Sequence, residues 1–153
     1  MLIDCVEGGA SVGFLLPLTP QRALEFWQRV ARAVADGRRA IFIAEEQGRI
    51  LGTVQLVLDM AENQPHRGEI SKMLVRTEAR RRGVGEALLR AAEAAARAAG
   101  RTLLVLDTAT PDAARLYERL GWERSGDIPD YALYPDGSPC TTTFYYRRLA
   151  GAS

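Results

Sequence analysis

The sequence predicts an α+β fold, a mixed sheet with helices on both faces, and three observations carry that prediction. Short runs at 40–45, 49–58, 69–75, 102–108 and 142–149 alternate or stay apolar over strand-like lengths, and amphipathic segments with helix caps separate several of them. The runs 69–75 and 102–108 are joined through a helix, which imposes a right-handed crossover and makes that pair parallel. The runs 40–45 and 49–58 are joined by Glu46-Gln47-Gly48 and so read as an antiparallel hairpin.

Taken in order, Met1 to Phe14 contains Gly8-Gly9-Ala10-Ser11-Val12-Gly13-Phe14, a run of small residues that reads as a loop. Such a loop is either a plain connector or a set of exposed amides facing a ligand. Thr19-Pro20 supplies an N-cap and a proline at the first helical position, and Ala23, Leu24, Trp27, Val30, Ala31 and Val34 make one apolar face before Asp36-Gly37 ends the helix. Asp59 to Gly68 is polar, contains Pro65, and reads as a loop carrying His66 and Arg67. Glu69-Ile70-Ser71-Lys72-Met73-Leu74-Val75 is the next strand. A helix then runs to Ala99-Gly100, and the strand Thr102 to Thr108 is apolar in the manner of a buried parallel strand. Thr110-Pro111 opens another helix, with Ala113, Ala114, Leu116, Tyr117 and Leu120 inward and Gly121 as its C-cap. Trp122 to Gly126, a loop with Pro129, Pro135 and Asp136-Gly137, and the strand Thr142 to Leu149 follow.

The chain is organised around the junction between Met73-Leu74-Val75 and the helix beginning near Glu86, where Arg80-Arg81-Arg82-Gly83-Val84-Gly85 forms a basic, glycine-bearing turn. The first N–H groups of a helix have no partner inside it, and the macrodipole places partial positive charge there. Gly83 and Gly85 remove side chains from the approach, and Arg80, Arg81 and Arg82 add full charges. One helix end contributes only about 0.3 to 1 kcal/mol per charge. Several amides plus an arginine are needed to hold a multiply charged group, and a pyrophosphate fits that description. The spacing is neither that of a nucleotide-triphosphatase loop nor that of a dinucleotide fold.

Composition narrows the remaining classes. The chain of 153 residues is 47% hydrophobic and 25% charged, as expected for one globular domain spanning 1–153. A net charge of +1 gives no general attraction to nucleic acid or an acidic membrane. No membrane span or secretory signal is legible, so the default expectation is a cytoplasmic protein. Cys5 and Cys140 match no metal or redox spacing, and His66 is the only histidine, which leaves no basis for a zinc site or a histidine triad. No metal is expected.

The turn Arg80-x-x-Gly83-x-Gly85 resembles the pyrophosphate loop of the GNAT superfamily of acetyl-CoA-dependent N-acetyltransferases, whose signature is Gln or Arg, two residues, Gly, one residue, then Gly or Ala. The stretch Pro111 to Trp122, with Ala113, Leu116 and Tyr117 before Gly121-Trp122, is similar to the second signature of that superfamily. Within it, Gly8 to Phe14, Glu69 to Val75, Leu106-Asp107-Thr108, Pro129-x-Tyr131 and Pro135-Asp136-Gly137 resemble the tabtoxin-resistance acetyltransferase type, so the likeness covers nearly the whole chain. It implies a GNAT-like, mostly antiparallel twisted sheet with a splayed central parallel pair. The first strand of that pattern is missing from the sequence, so that either the start is shortened or a sheet edge is exposed and would need a partner chain, which keeps a homodimer open. The Asn usual near the start of the penultimate helix is replaced by Thr110.

The resemblance implies direct acetyl transfer from acetyl-CoA to a small-molecule amine, with an amino-acid-like toxin or antibiotic as one such acceptor. Met73, Leu74 and Val75 would face the pantetheine arm, the turn Arg80, Arg81, Arg82, Gly83, Val84, Gly85 and Glu86 would take the pyrophosphate, and Thr110, Ala113 and Tyr117 would complete the coenzyme site. A backbone N–H near Leu74 or Val75 would polarise the thioester carbonyl. Tyr117 would protonate the departing thiolate, which is uphill by roughly 2 kcal/mol from an unperturbed phenol near pKa 10 to a thiol near 8.5. Glu69 would act as base through water and Asp107 as substrate ligand. An unperturbed Glu is about five pKa units too acidic to deprotonate an alkylammonium unaided, equivalent to about 7 kcal/mol. Two other classes stay open at this point. One is a non-catalytic acyl-CoA sensor or regulatory subunit. The other is a nucleic-acid binder using Arg80 to Arg82 with Arg97, Arg101, Arg147 and Arg148, which the neutral net charge and lack of an aromatic platform disfavour.

Overall fold

The computed structural model describes residues 1–150. Along the chain run α1 (Leu2–Glu7), α2 (Pro20–Ala35), β1 (Arg39–Glu46), β2 (Arg49–Val57), β3 (Arg67–Val75), α3 (Val84–Ala98), β4 (Leu103–Thr108), α4 (Pro111–Arg119), β5 (Glu123–Leu133) and β6 (Pro139–Arg148), with a short 3-10 turn at Thr77–Ala79. The six strands form one sheet in the order β1-β2-β3-β4-β6-β5. Only β3 and β4 are parallel; every other neighbouring pair is antiparallel.

Local chemistry explains the boundaries. Thr19 accepts the Arg22 N–H at 3.2 Å and Pro20 stands at the first helical position, so α2 starts at its cap. Gln47 and Gly48 both have positive φ, 51° and 76°, and Glu46 pairs with Arg49, which makes the two-residue hairpin turn whose twist suits antiparallel strands. The sheet carries a core on each face. Val54, Leu56, Ile70, Leu104 and Leu106 pack with Leu88, Leu89, Ala92 and Ala96 of α3 and with Tyr117 of α4. On the opposite face Leu74 packs with Leu2, Cys5 and Val6 of α1 and with Ala23, Phe26 and Val30 of α2. Glu93, 4% exposed, accepts the Trp122 indole N–H at 3.0 Å and is flanked by Arg97 and Arg147, tying α3 to the start of β5.

Several sequence expectations need correction. Gly8 to Phe14 is the loop expected, but Leu2–Glu7 before it, given no element from the sequence, is a helix, because Leu2, Cys5 and Val6 fall on one face and bury against α2 and β3. On α2 the buried positions are Ala23, Phe26, Val30 and Ala33, while Leu24 is 52% exposed and Ala31 is exposed, so the apolar face is rotated from the one expected. Strand β3 begins at Arg67, inside the segment read as loop. The segment around Pro129 is strand β5. It lies at the sheet edge, where a proline costs no ladder bond, and its pairing to β6 is interrupted between Ile128 and Ala132. Helix α4 ends one residue earlier than expected, with Leu120 as cap and Gly121 following at φ 86°. Among the described residues no strand precedes β1, which forms the other edge of the sheet.

Candidate active site

The site grows out of a failure of pairing. Strands β3 and β4 are in register only at Arg67–Leu103, Gly68–Leu104 and Glu69–Val105, and both continue beyond that point without bonding to each other. The opening is a cavity of about 140 Å³. Met73 from β3, Asp107 from β4, Thr110, Ala113 and Tyr117 from the α4 region and Ser11 from the N-terminal loop are among the residues that line it. The small-residue loop therefore does face the gap, through Ala10, Ser11 and Val12.

A bulge shapes the β3 wall. Ser71 pairs with Gln55 and Leu74 with Thr53, so Lys72 and Met73 together oppose Val54 alone, and Lys72 takes a φ of 53°. The extra residue resets the alternation of the strand. Ile70 packs into the core beneath α3, whereas Leu74, four residues on, packs into the opposite core with α1 and α2. In an unbroken strand both would face the same way. Lys72 lands at the centre of this switch and lines the gap.

The titratable groups of the gap act on one another. Burial raises the Asp107 carboxyl pKa, and the Lys72 ammonium works in the opposite direction. Burial lowers the Lys72 pKa, Asp107 raises it, Arg39 lowers it and Glu69 raises it. Tyr117 is 4% exposed, with its ring against Trp122 and Tyr145 at centroid distances of 6.0 and 5.9 Å. Burial pushes its phenol well above the ordinary tyrosine value, with the Asp107 charge adding to the shift, so the phenol keeps its proton at any physiological pH. Glu69 stands on β3 at the last paired position and is not among the residues lining the gap; its carboxylate lies 3.7 Å from the Arg67 guanidinium.

The basic turn sits where β3 leads into α3. Gly83 is the N-cap of α3 at φ 80°, a left-handed conformation that favours glycine, and a Cβ there would meet nothing within 4 Å. Its role is thus set by backbone conformation. Gly85 is close-packed: a Cβ there would stand 3.1 Å from Leu116 Cδ2 on α4, so that side chain would have to give by a few tenths of an ångström. The three arginines are not equivalent, as the sequence reading had treated them. Arg80 donates through Nε to the Val75 carbonyl at 3.3 Å, and Arg82 is paired with Glu46 at 2.9 Å, while Arg81 has no ion-pair partner among the described residues. Glu86, an acid in the first turn of α3, is held by Arg90 at 2.9 Å and Arg119 at 3.7 Å, which offsets the repulsion it would present to an anion.

Leu74 is buried among α1 and α2, and the Val75 carbonyl is further occupied by the Cys5 thiol at 3.5 Å. Thr110 is the N-cap of α4 without a side-chain capping bond. Cys5 and Cys140 are buried free thiols. No helix among the described residues is long and apolar enough to cross a membrane.

Sequence reasoning missed Lys72 and a second cavity that opens beside the gap. That cavity, about 750 Å³, lies between α2 and the β1–β3 surface and shares Val12, Ser71 and Lys72 with the gap. Arg29 and Arg32, at i and i+3 on a helix, and the adjacent Arg38-Arg39 were the available signal, since both pairs line it.

Comparison with known proteins agrees with this geometry. A family model described as acetyltransferase (GNAT) family matches residues 13–122, a span that runs from the N-terminal loop through the turn and the gap to Trp122. Among solved structures, the ribosomal-protein-alanine N-acetyltransferase from Brucella melitensis superposes with a TM-score of 0.79 at 22% identity, covering 97% of this chain and 90% of that one. An N-acetyltransferase from Staphylococcus aureus Mu50 gives 0.80 at 20% identity, covering 97% and 88%. The protein yncA from Salmonella typhimurium, solved with its cofactor acetyl-CoA, gives 0.70 at 21% identity, covering 89% and 77%. These three likenesses are likenesses of fold.

Proposed function

The chain belongs to the GNAT acetyltransferase family, and from that premise we propose that residues 1–153 form one domain that moves the acetyl group of acetyl-CoA directly onto the primary amine of a small molecule. The observation that carries this reading is the loss of pairing between β3 and β4 beyond Glu69–Val105, with Asp107 and Tyr117 lining the resulting gap and a glycine turn at the start of α3. Bound there, acetyl-CoA would supply an activated thioester, and the residues present fit it. The free amides at the start of α3, the left-handed Gly83 and the unpaired Arg81 suit a diphosphate, and Met73, Thr110 and Ala113 offer a narrow apolar and hydroxyl-bearing wall for an arm.

The chain's own groups divide the proton work. Tyr117, kept protonated by burial, holds a proton for the departing sulfur; because its pKa is raised, the transfer costs more than the roughly 2 kcal/mol of an unperturbed pair unless the sulfur is desolvated equally. Asp107, in the gap and with its pKa raised by burial, is the better-placed carboxylate to meet the incoming ammonium, either as its ligand or as its base. Glu69 lies behind it on β3 and would act through water. The tabtoxin-resistance type remains the subfamily suggested by Gly8 to Phe14 and Leu106-Asp107-Thr108, and amino-acid-like toxins and antibiotics are the acceptors to try first. The reading also places the protein in the cytoplasm.

The experiment is a pair of measurements on the intact protein: calorimetric titration with acetyl-CoA, and thiol release from acetyl-CoA across amino acids, toxins and aminoglycosides. Saturable coenzyme binding with turnover of at least one amine is the expected result. Coenzyme binding with no turnover across the panel would favour a sensor, and no binding would remove the reading altogether.

A further inference from the structure

The cavity of about 750 Å³ beside the gap has a charge that the acetyl-transfer chemistry does not require. Five cations line it, Arg29 and Arg32 from α2, Arg38 and Arg39 at the start of β1, and Lys72 from the β3 bulge, against one carboxylate, Asp36. That carboxylate is taken by Arg38 at 2.9 Å. Arg29, Arg32 and Arg39 have no carboxylate within ion-pair distance among the described residues, although the chain as a whole is close to neutral at +1. Arg39 donates instead to the buried Gln55 side-chain carbonyl, a bond that fixes its position without cancelling its charge.

We propose that this cavity is the acceptor pocket and that the acceptor is a multiply anionic amine, carrying two carboxylates or a carboxylate and a phosphate; this deepens the transferase reading and rests on it. The geometry supplies the route. The cavity shares Val12, Ser71 and Lys72 with the gap, so a molecule held by its anionic groups against α2 and β1 presents its amine past Lys72 toward Asp107. Like charges gathered on a concave, partly desolvated surface repel one another, and a bound polyanion relieves that repulsion while guanidinium groups give it bidentate contacts. Lys72 itself is brought to the shared wall by a left-handed backbone angle of 53°, with its ammonium nitrogen beside Gly13 of the N-terminal loop. A non-glycine residue in that conformation is held there by the bulge, and such positions are kept where a side chain must be aimed. Asp107 lines the gap beyond Lys72 and provides the opposite polarity that an ammonium requires, and Glu69 also acts on the Lys72 charge from β3. The site is bipolar, anion-seeking toward α2 and cation-seeking toward β4. A polycationic acceptor such as an aminoglycoside meets the wrong charge at the entrance.

The test has two arms. In the first, acetyl-CoA turnover is measured with aspartate, glutamate and O-phosphoserine, with their side-chain amides or unphosphorylated forms, and with spermidine and an aminoglycoside. The anionic members are expected to show kcat/KM at least tenfold above their neutral counterparts. The double substitution Arg29→Gln with Arg32→Gln, both on the exposed side of α2, is expected to raise their KM about tenfold with a smaller change in kcat. A preference for neutral or cationic amines, or a KM indifferent to the double substitution, would overturn the proposal and leave the transferase reading standing. In the second arm citrate and spermidine are titrated calorimetrically into the protein without coenzyme. Citrate is expected to bind and to bind about tenfold more weakly to the double variant, spermidine not at all. Failure of acetyl-CoA binding would strike the transferase reading alone, and the citrate titration would then decide the pocket: binding weakened by the double variant sustains it, and absent or unaltered binding removes it.

Discussion

The glycine turn at the start of α3 and the basic cavity between α2 and β1 both present positive charge beside the same gap, but they are built by different means. The turn is contiguous, Arg80 to Glu86, and relies on backbone: a left-handed Gly83, free helix amides and a close approach of α3 to α4 at Gly85. The cavity is assembled from three separated segments, 12–14, 26–39 and 71–72, and relies on side chains. A site written in backbone amides tolerates only a narrow set of residue types at fixed spacing, so it is legible as a motif. A site written in side-chain charge tolerates many arrangements and exists only once the chain has folded.

That contrast predicts where substitution is felt first. Between the two regions stands Tyr117, which belongs to neither source of charge, and its removal should have the largest effect. Positioned proton transfer contributes about a hundredfold to ten-thousandfold, so Tyr117→Phe is expected to lower kcat about a hundredfold while calorimetric acetyl-CoA affinity stays within about twofold. A parallel fall in coenzyme affinity would reassign Tyr117 to packing between Trp122 and Tyr145.

The turn should fail through its backbone rather than its charges. Gly83→Val places a β-branched residue at φ 80°, which costs of order 1 to 3 kcal/mol, and is expected to weaken acetyl-CoA binding at least tenfold. Arg82→Gln breaks only an exposed pair with Glu46 and should change it less than threefold. If Arg82→Gln proved the more damaging, the turn would be a charge site after all and the distinction between the two regions would lapse.

The order of legibility follows the same line. The hairpin at Gln47-Gly48, the Thr19-Pro20 start of α2 and the parallel β3–β4 pair were readable because each is decided by local geometry or a topological rule. The helix Leu2–Glu7 was not, because six residues form a helix only through the burial of Leu2, Cys5 and Val6 against another element. Pro129 spoke for a loop, and only the position of β5 at the sheet edge makes it a strand residue. Lys72 was least readable of all. By simple alternation it belongs with Ile70 and Leu74 in a single facing, and the bulge that separates those two into opposite cores leaves no mark in the residue pattern.

The position of Lys72 gives a pH-dependent means of separating the regions. The gap carboxylate Asp107 is raised by burial and lowered by the Lys72 ammonium. If the ionised carboxylate handles the acceptor, activity rises with pH through the Asp107 pKa. Lys72→Met removes the positive charge that lowers it, so the acidic limb of kcat/KM should move to higher pH. The other charged groups near Lys72, Arg39 and Glu69, remain and do not reverse that sign. Acetyl-CoA affinity, which we assign to the turn, should show no corresponding shift; an acidic limb that stayed in place would detach Asp107 from the acceptor step.

The smallest effect concerns Thr110, where this chain departs from the Asn usual in its family. Thr110 caps α4 without a side-chain bond to the helix, while lining the gap. Asn is the stronger N-cap, its side-chain oxygen reaching the amides two or three residues on, so Thr110→Asn should stabilise α4 by a few tenths of a kcal/mol. For a domain of this size that is about 1 °C in Tm, and the effect on acetyl-CoA affinity should stay within about threefold. Because Thr110 lines the gap, on the wall proposed for the coenzyme, and is not among the residues of the basic cavity, any gain should appear in coenzyme binding with the KM for the acceptor unmoved. A change confined to the acceptor KM would mean that α4 reports to the cavity on the far side of Lys72, and that the two regions are coupled through the gap rather than merely adjacent to it.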